Sequence, residues 1–299
     1  MTGATGFVGG ATLRQAVAAG WHVRALTRRP QPEREGVTWV AGALDRPDSL
    51  AEMAAGSDVV MHIAGVVNVP TRAEFEAGNA TATGNVIDAA RHAGVTRFVH
   101  VSSLAAREPE ISNYSWSKAR AETVVRASGL DWTIVRPPAV FGPGDTEMLD
   151  LFRMARRGVA LLPPAGRMSV VYVDELARLL VALAADRDAS IGATYEPDDG
   201  KPGGWSHRSF AQAIGRAVGR SHVSTLAVPR IVLKAGGRLD TLVRRRRAKL
   251  TPDRARYIAH PDWVAAAGAC PPPELWQPAL DTGDALGETV RWYRREGWL

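Results

Sequence analysis

Thr2-Gly3-Ala4-Thr5-Gly6-Phe7-Val8-Gly9-Gly10 spaces glycines three apart, a G-x-x-G-x-x-G run, directly ahead of a helical pattern over 11–19. A run of this kind opens a helix beneath a pyrophosphate. Gly3 permits the tight turn, Gly6 lets the backbone approach phosphate oxygens, and Gly9 lets the helix pack closely on a sheet. Three glycines alone also suit an ordinary loop, and later residues decide between the two. The turn should leave a central parallel strand of roughly five residues. Only Met1 and Thr2 precede Gly3. The expectation is a sheet whose first strand is missing from this chain, and a mis-assigned start is the favoured reason.

Beyond the glycines, strand and helix patterns alternate. Strands are expected over 21–26, 37–40, 58–63, 97–101 and 132–135, and helices over 47–55, 74–93 and 114–127. The segment Asp58-Val59-Val60-Met61-His62-Ile63 is a nearly continuous apolar run, as in a strand buried on both faces. Steady alternation predicts an α/β fold, a doubly wound parallel sheet. From Arg136 the character changes, with Pro137-Pro138 and Gly142-Pro143-Gly144 breaking regularity. A strand is expected over 169–173, with helices over 146–157, 175–185, 206–218, 230–243 and 282–295. The expected division is a dinucleotide-binding domain over 1–196, with 146–168 contributing to the substrate side. A smaller, mostly helical substrate region covers 197–299.

Bulk properties narrow the function classes. A chain of 299 residues, 45% hydrophobic and 23% charged, can bury a sizeable core. It contains no apolar run of membrane-span length and no cationic-then-apolar leader. Cys270 is the sole cysteine, so no internal disulfide forms and a cytoplasmic home is expected. The net charge of +6 raises the question of a nucleic-acid partner. Outside Arg244-Arg245-Arg246-Arg247 the excess reads as scattered, and that run lacks interleaved aromatics. It reads as a solvated helix end, leaving no nucleic-acid partner expected. The seven histidines show no metal-ligand spacing, so no metal is expected either.

Tyr114-Ser115-Trp116-Ser117-Lys118 is a Y-x-x-x-K. Residues four apart share a helix face, so a phenol and an ammonium project together. A free phenol titrates near pH ~10, too high for a neutral-pH base, and a neighbouring cation lowers that value. Ser103, just past the strand at 97–101, can polarise a substrate carbonyl or carbinol oxygen. At the end of the strand over 21–26 an Asp or Glu would select NAD. The chain instead carries Thr27-Arg28-Arg29 there, and a guanidinium can grip a 2′-phosphate with two hydrogen bonds. Arg28 is the first choice for that contact, and NADP the expected cofactor, with NAD retained as an alternative.

The order of these pieces resembles the extended short-chain dehydrogenase/reductase superfamily of the NAD(P)-dependent epimerase/dehydratase type, which has a Rossmann fold. Further segments match. Ala64-Gly65 lies where the family passes its backbone beside the cofactor. Residues 79–90 resemble its helix beginning with Asn, and residues 94–103 resemble its approach to the active serine. Arg136-Pro137-Pro138-Ala139-Val140-Phe141-Gly142-Pro143-Gly144 resembles its loop by the nicotinamide, and Val173-Asp174-Glu175-Leu176-Ala177 its V-D-x-x-A helix start.

That resemblance implies roles. Tyr114 is the general acid or base, Lys118 binds the nicotinamide ribose and lowers the phenol pKa, and Ser103, preferred over Ser102, orients the substrate oxygen. Gly3, Thr5, Gly6, Phe7, Val8, Gly9, Arg28, Ala64, Gly65, Lys118, Pro137 and Val140 are expected at the cofactor. The expected activity is oxidoreduction or epimerisation of a small-molecule secondary alcohol or ketone, with room for a homodimer. Departures exist. Leu104-Ala105 replaces the acid pair of sugar-nucleotide dehydratases, which argues against dehydration. The segment between Ser103 and Tyr114 is short, as in branches resembling an accessory subunit of respiratory complex I. The alternative function is therefore a cofactor-binding structural or sensing protein with little turnover.

Overall fold

The computed structural model describes residues 1–186 and 188–299, and Arg247, the last member of the arginine run, only through its backbone. In chain order the elements begin with α1 (Phe7–Ala18), β1 (Val23–Thr27), β2 (Val37–Ala41), α2 (Pro47–Ala54), β3 (Val59–His62), α3 (Arg72–Phe75) and α4 (Ala82–His92). They continue with β4 (Arg97–Val101), α5 (Asn113–Arg126), β5 (Asp131–Val135), β6 (Ala139–Phe141), α6 (Leu149–Arg156), β7 (Val159–Leu162), β8 (Arg167–Met168) and β9 (Val170–Tyr172). The remainder are α7 (Val173–Ala185), β10 (Thr194–Tyr195), β11 (Trp205–Ser206), α8 (His207–Ala217), β12 (Ser224–Ala227), α9 (Arg230–Arg244), α10 (Pro252–Ile258), β13 (Asp262–Trp263) and α11 (Thr282–Arg295).

Two compact units contain these elements. The first comprises 1–136, 176–196 and 271–276; the second comprises 137–175, 197–270 and 277–299. The first unit is a Rossmann-type α/β layer. Strands β3, β4, β5 and β10 form one parallel sheet in the order β10-β5-β4-β3, and β1 pairs with β2 in parallel. Between β1 and β3 lie Met1 and Thr2. The Leu26 N–H donates to the Met1 carbonyl at 3.0 Å, and the Thr2 N–H donates to the Met61 carbonyl at 3.0 Å. Thr2 also forms a parallel bridge with His62. Two residues thus stand where sequence reasoning expects a full first strand.

Helices cover both faces of this layer, as a doubly wound sheet requires. On one face Leu50, Met53, Val86, Ile87 and Val125 pack with Val60, Phe98 and Ile134 of the strands. On the other, Leu13 and Ala16 of α1 pack with Val23 and Ala25, joined by Trp21 and Val181. Phe98, Leu50 and Ile134 are fully buried. Each such side chain contributes about 1.5–3 kcal/mol relative to exposure.

The second unit carries the remaining helices, among them α8, α9 and α11, joined by short strands. β6 pairs with β9, β7 with β12, and β8 with both β11 and β13. The strands at 159–162, 205–206, 224–227 and 262–263 are too short to leave an alternating signal, and sequence reasoning passes over them.

Candidate active site

Each glycine of the opening run meets a distinct steric demand. Gly3 has φ +77°, and a Cβ there would lie 2.7 Å from the Ala64 nitrogen. At Gly9 a Cβ would sit 2.0 Å from the Gly3 carbonyl oxygen. Both positions therefore exclude any side chain. Gly6 is the N-cap of α1 and offers no side-chain cap, and the first turn of α1 carries no acid. Its free N–H groups and the helix dipole favour an anion there. Thr5 is exposed, with Phe7 and Val8 half-buried at the start of α1. The cradle suits the pyrophosphate of a dinucleotide.

The cradle lies at the carboxyl end of β3. The Ala64 N–H donates to Thr2 Oγ1 at 3.2 Å, and Thr2 Oγ1 meets His62 Nδ1 at 2.7 Å. Gly65 follows. A Cβ on it would lie 2.9 Å from Asn79 Oδ1 and 3.7 Å from Lys118 Nζ. Asn79 lies in a π-helical segment, Glu76–Thr81, inside what the sequence presents as one continuous helix. Its Oδ1 accepts from the Val66 N–H at 2.8 Å, while Nδ2 donates to the Val66 carbonyl at 3.0 Å and to Ser117 Oγ at 2.8 Å. Asn79 therefore ties the loop after β3 to α5. This role is missed in the sequence, where only an Asn after Gly78 hints at a break in the helix.

Tyr114 and Lys118 both sit on α5. Ser112 caps this helix, its Oγ accepting from the Ser115 N–H at 3.0 Å. Tyr114 is half-buried, with its ring centroid 6.2 Å from that of Phe75. Lys118 is buried and donates from Nζ to the Val101 carbonyl at 2.8 Å. Burial pushes its pKa down to about 8, against an upward pull from Glu122. The ammonium is thus fixed one helical turn from the phenol, in the same loop region as Gly65.

Ser102 and Ser103 differ in what they do. Ser102 Oγ donates to Glu122 Oε1 at 2.6 Å. Ser103 Oγ accepts the Ala105 N–H at 3.2 Å and caps a 3-10 turn, Leu104–Arg107. That bond leaves the Ser103 proton unused, whereas the Ser102 proton is committed to a buried carboxylate.

Arg28 is exposed immediately past β1. Thr27 Oγ1 donates to the Arg29 carbonyl at 2.7 Å and accepts the Arg29 N–H at 3.3 Å, closing a tight turn around Arg28. Pro137 and Val140 belong to the second unit, where Val140 pairs with Val171 in the β6–β9 ladder.

Comparison with known proteins fits this geometry. The model of the NAD(P)H-binding family matches residues 3–187. A ceramide reductase from Caulobacter vibrioides is 35% identical over 308 residues, covering 100% of this chain and 95% of that protein. A 2-alkyl-3-oxoalkanoate reductase from Stenotrophomonas maltophilia is 28% identical over 299 residues, covering 89% and 90%. The structure of a human epimerase family protein with NADPH superposes with a TM-score of 0.73 at 20% identity, covering 97% and 98% of the two chains. The chain belongs to the NAD(P)H-binding family.

Proposed function

We propose that this protein is an NADP-dependent reductase of a ketone carried on a long, apolar acyl compound, working through Ser103, Tyr114 and Lys118. The observation that carries this reading is the buried Lys118 ammonium, held on the Val101 carbonyl one helical turn from Tyr114. A protein that merely holds a dinucleotide could use Lys118 on the ribose, but it has no need of Ser103, Tyr114 and Lys118 together. Reduction is favoured over epimerisation because two reductases of nearly the same length share 35% and 28% identity with it. Their names, one a ceramide reductase and one an oxoalkanoate reductase, motivate the acyl substrate.

The cofactor, when bound, supplies the hydride. Gly3, Gly6 and Gly9 would hold its pyrophosphate, Arg28 its 2′-phosphate, and Ala64, Gly65 and Lys118 the parts beyond. The chain's own residues handle the proton. The Ser103 hydroxyl donates to the substrate carbonyl oxygen and fixes its direction. As negative charge develops on that oxygen, the Tyr114 O–H transfers its proton there. Lys118 stabilises the phenolate that remains, which lowers the cost of the transfer.

Tyr114→Phe tests the reading. The ring keeps its packing against Phe75 while the proton is lost. NADPH consumption with a long-chain 3-oxo ester should fall by about 10²–10⁴-fold, the usual contribution of a positioned acid. The stabilisation by NADPH in a melting experiment should persist. Full turnover in Tyr114→Phe removes Tyr114 from the chemistry. Cofactor-linked stabilisation with no turnover of any ketone in the unmutated protein replaces the enzyme with a binding protein.

A further inference from the structure

Helix α9 is amphipathic in the wrong direction for a helix that faces only water. Five of the ten large apolar side chains exposed among the described residues lie on it: Ile231, Val232, Leu239, Leu242 and Val243. Ile231, Leu239, Leu242 and Val243 are between 63% and 81% exposed. At 3.6 residues per turn these five share an arc of about 120°. Lys234 and Arg238 occupy the neighbouring arc, Arg245 caps the helix just past its C-terminal end, and all three are exposed. A surface helix ordinarily turns its apolar stripe inward, and contiguous exposed apolar surface marks an interaction site.

The attachment of α9 explains why this face points outward. Its inward seam is made of glycine and an acid. A Cβ on Gly237 would lie 2.9 Å from the Thr251 carbonyl carbon, so helix and following chain touch at backbone distance. Asp240 Oδ2 accepts the N–H groups of Lys249 and Leu250, both at 2.8 Å. This seam is polar and narrow, and it uses none of the five exposed apolar side chains.

Charge identifies what the face meets. Residues 230–249 contain eight Lys or Arg, at 230, 234, 238, 244, 245, 246, 247 and 249, against one acid, Asp240, a net of +7. The whole chain carries +6, so the remainder sums to 6 − 7 = −1. The basic character of the protein is therefore the character of this one segment, and not a scattered excess. An apolar arc bordered by cations is the pattern of a helix that lies in the plane of an anionic bilayer, apolar side down and cations at the headgroups. No helix among the described residues is long and apolar enough to cross a membrane, which fits a surface contact. Nucleic acid would use the cations but would leave the apolar arc in water, and α9 carries no aromatic residue to stack on bases.

We propose that α9 docks the protein on the surface of an anionic lipid bilayer, through Ile231, Leu239 and Leu242 together with Lys234 and Arg238 of the helix and Arg245 at its C-terminal cap. The test is co-sedimentation of the full chain with two vesicle preparations, neutral phosphatidylcholine and phosphatidylcholine mixed with phosphatidylglycerol. Binding to the anionic vesicles and weak binding to the neutral ones are expected. An Ile231→Gln, Leu239→Gln, Leu242→Gln variant should lose about a hundredfold or more in partitioning, as should Lys234→Gln, Arg238→Gln, Arg245→Gln. All six side chains are exposed, so melting temperatures should stay near that of the unmutated chain. A Leu242→Cys, Cys270→Ser chain labelled with an environment-sensitive dye should shift its emission to the blue on anionic vesicles alone. Absence of sedimentation overturns the proposal. So does unchanged binding by the apolar triple variant, which leaves a simple polyanion site open to DNA. A dimer in solution broken by that variant, without vesicle binding, assigns the face to a second copy and also overturns it.

Discussion

Arg136 holds Glu122 with two hydrogen bonds, Nε to Oε1 at 2.8 Å and Nη2 to Oε2 at 2.7 Å. Glu122 stands one turn beyond Lys118 on α5 and is 1% exposed. It also receives Ser102 Oγ at 2.6 Å and Arg126 Nη1 at 3.0 Å. Arg136 in turn meets Glu196, which Arg107 also contacts. Burial alone would raise the Glu122 pKa, but the hydrogen bonds and charge of Arg136, with Ser102 and Arg126, hold it below its usual value. This network fixes α5 to the carboxyl ends of β4 and β5, and so sets where Tyr114 and Lys118 stand.

The first prediction follows from that network. Glu122→Ala leaves the partly buried Arg136 guanidinium without its main partner, and should cost about 3–5 kcal/mol. Glu122→Gln keeps acceptors but loses the charge and should cost less. Chemical denaturation of both variants, beside Ser102→Ala, checks the ranking. A Glu122→Ala chain as stable as the unmutated one would show that the pair carries little. The linkage sign is fixed by a lowered folded pKa. The contribution is present above the ordinary carboxylate pKa and is lost as pH falls below it.

A second prediction concerns the pH dependence of turnover. Lys118 is held at about 8, below the lysine value of 10.5, chiefly by burial. It is cationic at pH 7 and becomes neutral as pH rises through about 8. Its neutral form can no longer stabilise a Tyr114 phenolate. The kcat/KM for ketone reduction should therefore fall above pH about 8, with a limb that reports the free protein. A profile flat to pH 10 would separate Lys118 from the chemistry.

Much of this was legible in the sequence, and the illegible parts have common causes. Strand 97–101 and helix 282–295 appear with the expected bounds, because a buried apolar run and clear breakers delimit them. The glycine run and Y-x-x-x-K are local patterns, so their placement on a turn and a helix follows from spacing. Arg97 was not legible. It reads as the charged start of a strand, yet its buried guanidinium donates to the carbonyls of Asp131, Leu183 and Asp186 and to Thr133 and Ser190. Those partners lie 34 to 93 residues away, and no local pattern encodes them. The outward apolar arc of α9 was equally hidden. Periodicity reveals an amphipathic helix but not which side its neighbours cover.

The third prediction uses two stacked histidines. His62 and His100 lie with ring centroids 5.4 Å apart, both buried. His62 is satisfied by Thr2 and Thr83 at 2.7 and 3.1 Å. Neither ring nitrogen of His100 has a hydrogen-bond partner. Burial, then the Lys118 charge, pushes His62 down to about 3 and His100 well below 6.5. A lowered folded pKa for a base means the unfolded chain binds more protons. Stability should hold above pH about 6.5 and fall as pH drops toward about 3. His100→Leu removes an unpaired polar group, and should stabilise the protein at pH 7 by about 1 kcal/mol and flatten the acid slope. Melting curves from pH 4 to 7.5 check both. A destabilised variant with an unchanged slope would mean that the imidazole is needed where it stands.

The last prediction concerns which dinucleotide the protein prefers. The turn after β1 is closed by Thr27 on both backbone groups of Arg29, so Arg29 is tied down while Arg28 projects from the bend into solvent. No acid stands at the end of β1; the first one afterwards is Glu33. An acid there would bind the ribose hydroxyls of NAD and repel a 2′-phosphate. A guanidinium does the reverse, offering two parallel donors to the phosphate oxygens. Hydrogen bonds to a charged group contribute about 1.5–3 kcal/mol, so NADP should bind about tenfold to a hundredfold more tightly than NAD. Arg28→Ala should remove most of that difference by weakening NADP and leaving NAD nearly unchanged, since NAD presents only hydroxyls to the turn. Arg28→Lys should retain charge but lose the paired donors, and fall between. The dissociation constants of both dinucleotides, measured on the three chains at one ionic strength, decide it. An unmutated protein that prefers NAD would exclude Arg28 from phosphate recognition and turn attention to the backbone of the turn itself.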